Sequence, residues 1–131
     1  MKTKSYATLK RKLDRVFSEY ARRRLATTDG LVACVSCSTM KRWQDQQAGH
    51  FVSRVRLATR WDIENVNSQC SRCNVLLRGN AVGYSRWLVN RYGQDIFARL
   101  EARSRQVVKF RRSDLQAMIQ DYSEKLKELN K

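Results

Sequence analysis

The sequence predicts an α+β chain, and three observations carry that expectation. The only four cysteines in 131 residues fall as two Cys-x-x-Cys pairs, Cys34/Cys37 and Cys70/Cys73. Short runs of β character, Leu31-Val32-Ala33 and Ala48-Gly49-His50-Phe51-Val52, stand beside the first pair and between the two. Towards both ends of the chain, apolar residues recur at spacings of three and four, the period of an amphipathic helix. The expected arrangement is a small metal-bound unit between helical arms. Residues 1–30 would form a basic N-terminal helix, 31–80 the central unit and 81–131 C-terminal helices, all within one domain.

The first helix is expected over residues 4–25, with Leu9, Leu13, Val16, Phe17 and Tyr20 on one stripe and Ser5 or Thr3 as cap. Asp29-Gly30 then marks a turn. Residues 31–37 read as a strand entering a cysteine knuckle, and 48–52 as a second strand. Helical pattern resumes near Ser71, breaks at Gly79-Asn80, and continues over 81–92, where Gly93 fits a stop. A short helix follows over 95–103, and 103–112 is a basic connection. Ser113 and Gln116 have the spacing of a capping box opening a last helix. Its stripe of Leu115, Met118, Ile119, Tyr122, Leu126 and Leu129 can pack internally or pair with a second copy, and a homodimer is the favoured reading. Trp43, Trp61 and Trp87 read as core residues rather than base-stacking groups.

The formal net charge is +15. By segment it is +6 over residues 1–30, +4 over 31–80, +6 over 81–112 and −1 over 113–131. A polyanion is the natural partner for that distribution, and nucleic acid the first candidate. No apolar run approaches the length needed to span a bilayer. The charged N-terminus lacks the apolar core of a signal peptide, so a reducing cytoplasm is expected.

In that compartment, two Cys-x-x-Cys pairs indicate a Zn²⁺ ion held by four thiolates. A thioredoxin-like redox motif fits poorly, because there are two pairs and no βαβ pattern. Four thiolates close the coordination sphere, so this zinc would support the fold rather than do chemistry. The 32 residues between Cys37 and Cys70 exceed a plain zinc ribbon and contain the sole histidine, His50.

The order Cys-x-x-Cys, Gly49-His50, Asn65, Cys-x-x-Cys-Asn74 resembles the HNH, or ββα-metal (His-Me finger), endonucleases. Its Cys-x-x-Cys-Asn ending is similar to phage endonuclease VII, a junction resolvase. Gln47-Ala48-Gly49-His50-Phe51, Arg60-Trp61-Asp62, Gln69 with Cys-x-x-Cys-Asn, and Gly79-Asn80 resemble the lambda NinG, or Rap, family of phage recombination proteins. That resemblance covers residues 31–100. The chain is compact for the family, so N-terminal material is expected to be missing.

The resemblance implies a zinc-bound ββα unit that cleaves branched DNA, such as four-way junctions and displacement loops, inside the bacterial host. His50 would deprotonate the attacking water, Asn65 would pin the loop carrying it, and Asn74 would bind a catalytic Mg²⁺ or Mn²⁺. A neutral imidazole suits the first role, and an amide oxygen suits a hard cation. Two departures stand out. The family's usual metal ligand before the histidine is Gly49 here, and an acidic position of endonuclease VII is Leu77. A replacement carboxylate is sought among Asp45, Asp62 and Glu64, with Asn80 as another oxygen donor, and Asp62 is favoured. Arg54, Arg56, Arg60, Arg72 and Arg78 flank these residues and are the expected DNA contacts. Two rivals remain. One is a non-catalytic zinc module that binds branched or duplex DNA. The other is a structural protein assembling through residues 113–130.

Overall fold

The computed structural model describes residues 3–130 and shows a mixed α+β architecture. Helix α1 (Tyr6–Arg23) is capped by Ser5, whose Oγ accepts the Thr8 N–H at 3.2 Å. Strands β1 (Leu31–Ala33) and β2 (Met40–Arg42) form an antiparallel hairpin. A 3₁₀ turn at Trp43–Asp45 leads into β3 (Gln47–His50). Helix α2 (Leu57–Arg60) lies in the connection to β4 (Val66–Gln69), which pairs antiparallel with β3 and sets His50 opposite Val66. A π-type turn at Arg72–Leu76 follows, then α3 (Ala81–Tyr92), α4 (Ile96–Ser104) and α5 (Arg112–Leu129). Among the described residues no helix is long and apolar enough to cross a membrane.

Pleating divides the β3–β4 pair between two cores, because successive side chains point to opposite faces. Ala48 and Val66 join the core built by Leu9, Leu13 and Phe17 of α1, by Trp61, and by Leu115 and Ile119 of α5. Asn67 turns towards α3, where Tyr84, which also donates to the Asn65 carbonyl, belongs to a second core with Val35, Leu88, Ile96 and Leu100. Arg24, just past α1, ties the two sides together. Its Nη2 donates to Asn67 Oδ1 at 2.7 Å, to Tyr92 Oη at 2.9 Å and to the Ile63 carbonyl at 3.3 Å.

Several expectations change. The apolar stripe of α5 is used within the chain: Leu115 and Ile119 are buried against α1, and the Tyr122 ring lies 4.9 Å from Phe17. It therefore offers no free seam along that length for a second copy. The capping box of α5 begins two residues earlier than the Ser113–Gln116 spacing indicates: Arg111 is the N-cap, and its N–H donates to Asp114 Oδ2 at 2.7 Å. Strands β2 and β4 were not legible as strands. The helix expected near Ser71 is a single wide turn. Trp61 is buried and Trp87 packs on the second core, while Trp43 is partly exposed beneath the guanidinium groups of Arg22 and Arg23.

Leu13 is fully buried where α1 meets the sheet and α5. Leu13→Ala is expected to cost about 3 kcal/mol of unfolding free energy, read from urea denaturation.

Candidate functional site

The cysteines meet where the β1–β2 turn reaches the end of β4. Their four Sγ atoms lie within 4.8 Å of one another, and no disulfide joins them. A tetrahedral zinc with Zn–S bonds of about 2.3 Å needs sulfurs about 3.8 Å apart. Cys37 and Cys70 are already at 3.7 Å. Donors surround the sulfurs: Thr39 Oγ1 lies 3.1 Å from Cys37, the Cys73 N–H 3.4 Å from Cys70, and Asn80 Nδ2 3.4 Å from Cys73. This donor set suits thiolates, and the cluster can hold a zinc ion. Cys34, Cys70 and Cys73 are buried and Cys37 is exposed.

His50 ends β3. Its Nε2 lies 2.9 Å from the carbonyl oxygen of Arg60. A carbonyl only accepts, so Nε2 carries the proton and Nδ1 is left as the basic nitrogen. Burial lowers the imidazole pKa below its usual 6.5. The Arg60 carbonyl pulls it upward, the Arg54 and Arg60 charges push it down, and Asp14 raises it. The ring is therefore neutral at neutral pH.

Asn65 is fully buried and holds the chain on both sides of that contact. Its Oδ1 accepts the Val52 N–H at 2.8 Å. Its Nδ2 donates to the carbonyls of Val52 and Thr59, each at 3.0 Å. It thus joins the loop after His50 to α2, next to the carbonyl that receives His50. Tyr84 of α3 donates its phenol to the Gly49 carbonyl at 2.7 Å and accepts from Asn67 Nδ2 at 3.2 Å. Burial pushes its pKa well above the usual range, so it remains a donor.

Asn74 sits in the π-type turn and shares an open groove with His50, Ser53, Arg54 and Arg78. Its Nδ2 donates to Gln47 Oε1 at 2.8 Å, which leaves the amide oxygen as its remaining polar atom. No carboxylate lines this groove. The favoured ligand Asp62 is elsewhere: its Oδ2 pairs with Arg103 at 2.8 Å and its Oδ1 accepts the Glu64 N–H at 3.0 Å. Asp45 pairs with Arg42, Glu64 with Arg99 and Arg103, and Asn80 turns to Cys73. Mg²⁺ takes oxygen ligands, usually including carboxylates. One amide oxygen and an imidazole do not make that set.

Gly49 has a structural reason. A Cβ there would lie 1.8 Å from Gln69 Oε1, because the Gln69 side chain lies across this position. Gln69 is itself fixed by donating to Ser36 Oγ and the Gly79 carbonyl, each at 2.8 Å. A carboxylate that does share a pocket with His50 is Asp14, which no spacing in the sequence singles out. It comes from α1 and lines a pocket on the other flank of the imidazole. Arg60 donates to it at 2.6 and 3.0 Å, Trp61 Nε1 at 2.9 Å and Arg54 at 3.3 Å. Burial alone would raise its pKa, but the bonds from Arg60 and Trp61 and the arginine charges hold it below the usual carboxylate range.

The arginines divide accordingly. The Arg60 side chain is 11% exposed and bound to Asp14, so it builds the site and is not free for phosphate. Arg54 also reaches Asp14, but its side chain is 60% exposed and lines the groove. Arg56, Arg72 and Arg78 are exposed.

Two outcomes follow. Removing metal with a chelator, or making Cys73→Ser, is expected to lower the melting temperature by about 10 °C or more, with loss of about one zinc per chain by elemental analysis. An unchanged melt in metal-free protein would contradict the zinc assignment. Because His50 is the sole histidine, one imidazole resonance should titrate by NMR with its midpoint below 6.5.

The model of the family described as "Bacteriophage Lambda NinG protein" matches residues 1–131. The "Protein ninG" of Escherichia phage 933W is 34% identical over 100 residues, 73% of this chain and 47% of that protein. The "Protein ninG" of Escherichia phage lambda is 31% identical over the same shares. The chain thus spans about half the length of the curated relatives it matches. No solved structure matches. The chain belongs to the NinG family of lambdoid phage proteins.

Proposed function

We propose that the chain is an endonuclease acting on branched DNA in phage recombination, with His50 as general base. The carrying observation is the state of that histidine. Its Nε2 is fixed on a main-chain carbonyl, which leaves Nδ1 as the basic nitrogen, burial lowers its pKa, and the residue lines a groove that Arg54 and Arg78 make cationic. The order β3, β4, turn, with His50 ending the first strand and Asn74 in the turn, supports this reading, with a single wide turn standing where a ββα unit has its helix.

In the proposed step, His50 Nδ1 takes a proton from water as the hydroxide oxygen bonds to phosphorus. The phosphodiester P–O bond then breaks, and the leaving oxygen takes a proton from solvent. Arg54 and Arg78 balance the charge gathered on the phosphate. Asn65 positions the base through Val52 and Thr59. The groove's donors do not fit a Mg²⁺ site, so no step is routed through a metal. The second reading, a non-catalytic zinc module that binds DNA, is favoured by that missing carboxylate.

Purified protein would be incubated with a labelled four-way junction and a linear duplex, with and without Mg²⁺. His50→Ala is expected to slow cleavage by about 10²- to 10⁴-fold while the band shift on DNA persists. The rate should fall as pH drops through the His50 pKa, with the acid limb below 6.5. Cleavage that survives the substitution would remove His50 from the mechanism. Binding without any cleavage would establish the second reading.

A further inference from the structure

Val75, Leu76 and Leu77 are three consecutive apolar residues with exposures of 60%, 77% and 46%. Consecutive exposed apolar side chains are unfavourable in water unless something covers them. Their backbone is not loose. The Leu77 N–H donates to the Arg72 carbonyl at 2.8 Å and the Gly79 N–H to the Cys73 carbonyl at 2.8 Å. The base of this ridge is therefore the same turn that supplies Cys73 to the thiolate cluster.

The ridge separates two depressions. Val75 lines the groove of His50, Asn74, Arg54 and Arg78. Leu77 lines the other, with Lys41, Arg72 and cysteine sulfurs. Neither lining contains a carboxylate, and each has two cations. A zinc tetrathiolate carries a formal charge of about −2, which Lys41 and Arg72 offset. The His50 side is thus the more strongly cationic track.

We infer that the Val75-Leu76-Leu77 ridge is a branch-point wedge: two DNA arms follow the tracks on either side, and Leu76 packs against bases left unstacked where the arms part. The inference rests on the proposed cleavage groove. Charge complementarity selects a polyanion on the His50 flank, while Lys41 and Arg72 keep the other flank from repelling one. An apolar ridge beside a phosphate track fits a place where base stacking is interrupted. A continuous duplex hides its base faces, whereas a branch exposes them to an inserted apolar side chain.

The test uses 2-aminopurine at the branch of a four-way junction and at the matched position of a linear duplex, with binding read in chelator-free buffer without added Mg²⁺, so that the cysteine cluster keeps its zinc and the readout needs no cleavage. Wild type should brighten the junction probe and prefer junction to duplex. Leu76→Ser should abolish the brightening and reduce the junction-over-duplex preference about tenfold, while Leu76→Phe restores both. Val107→Ser, at an exposed site lining neither track, is the control and should keep the preference. Brightening and preference retained in Leu76→Ser would overturn the wedge and leave the His50 reading standing. Wedge behaviour with no cleavage by wild type in any metal would support the wedge and overturn the endonuclease. Failure of wild type to bind either DNA would overturn both.

Discussion

Four cysteine sulfurs within 4.8 Å of one another, once ionised, repel unless a cation lies among them. The placement of everything around His50 follows from that constraint. Closing the cluster fixes the β1–β2 turn against the end of β4 and fixes the start of the π-type turn. That turn carries Asn74 into the groove and raises Val75 to Leu77 above it. Cluster and groove are thus separate: the four cysteines, which can hold a zinc ion, set geometry, while the groove beside them holds an imidazole, an amide and arginines.

The second constraint is the hydrogen-bonding capacity of β4. Its residues Val66, Asn67, Ser68 and Gln69 are all buried although three are polar. Burial of amides and hydroxyls is tolerable only when they are paired. Asn67 meets Arg24 and Tyr84, Ser68 donates to the Ala33 carbonyl, and Gln69 Nε2 meets Ser36 and Gly79. This network is why β4 escapes a reading based on hydrophobic alternation. The pattern looks like a solvated loop, and its partners lie far away in sequence. Helix α1 was legible because its burial follows the 3.6-residue period, and the four cysteines because ligand spacing is local.

The site was legible to a similar degree. His50, Asn65 and Asn74 could be singled out because they fall in register with the cysteine pairs, and the structure gathers them around one loop and one groove. Asp14 could not, since it reaches His50 from α1 and nothing in its neighbours marks it. Arg60 and Asp62 were chosen by nearness in sequence. Proximity along the chain says nothing about which charges pair, and Asp14 and Arg103 claim them. Gly49 looked like a lost ligand, but a larger residue there would collide with Gln69 from the adjacent strand.

The acceptor that orients His50 is main chain rather than a side chain. No substitution at position 60 deletes it, apart from those that move the backbone. A side-chain partner, by contrast, can be lost in a single base change. Variation in the basicity of this imidazole therefore comes from its burial, from the Arg54, Arg60 and Asp14 charges, and from the path of the segment between Val52 and Trp61. That path is held by Asn65 at one end and by the Asp14 cluster at the other. Sequence drift can alter what surrounds the imidazole without untying it.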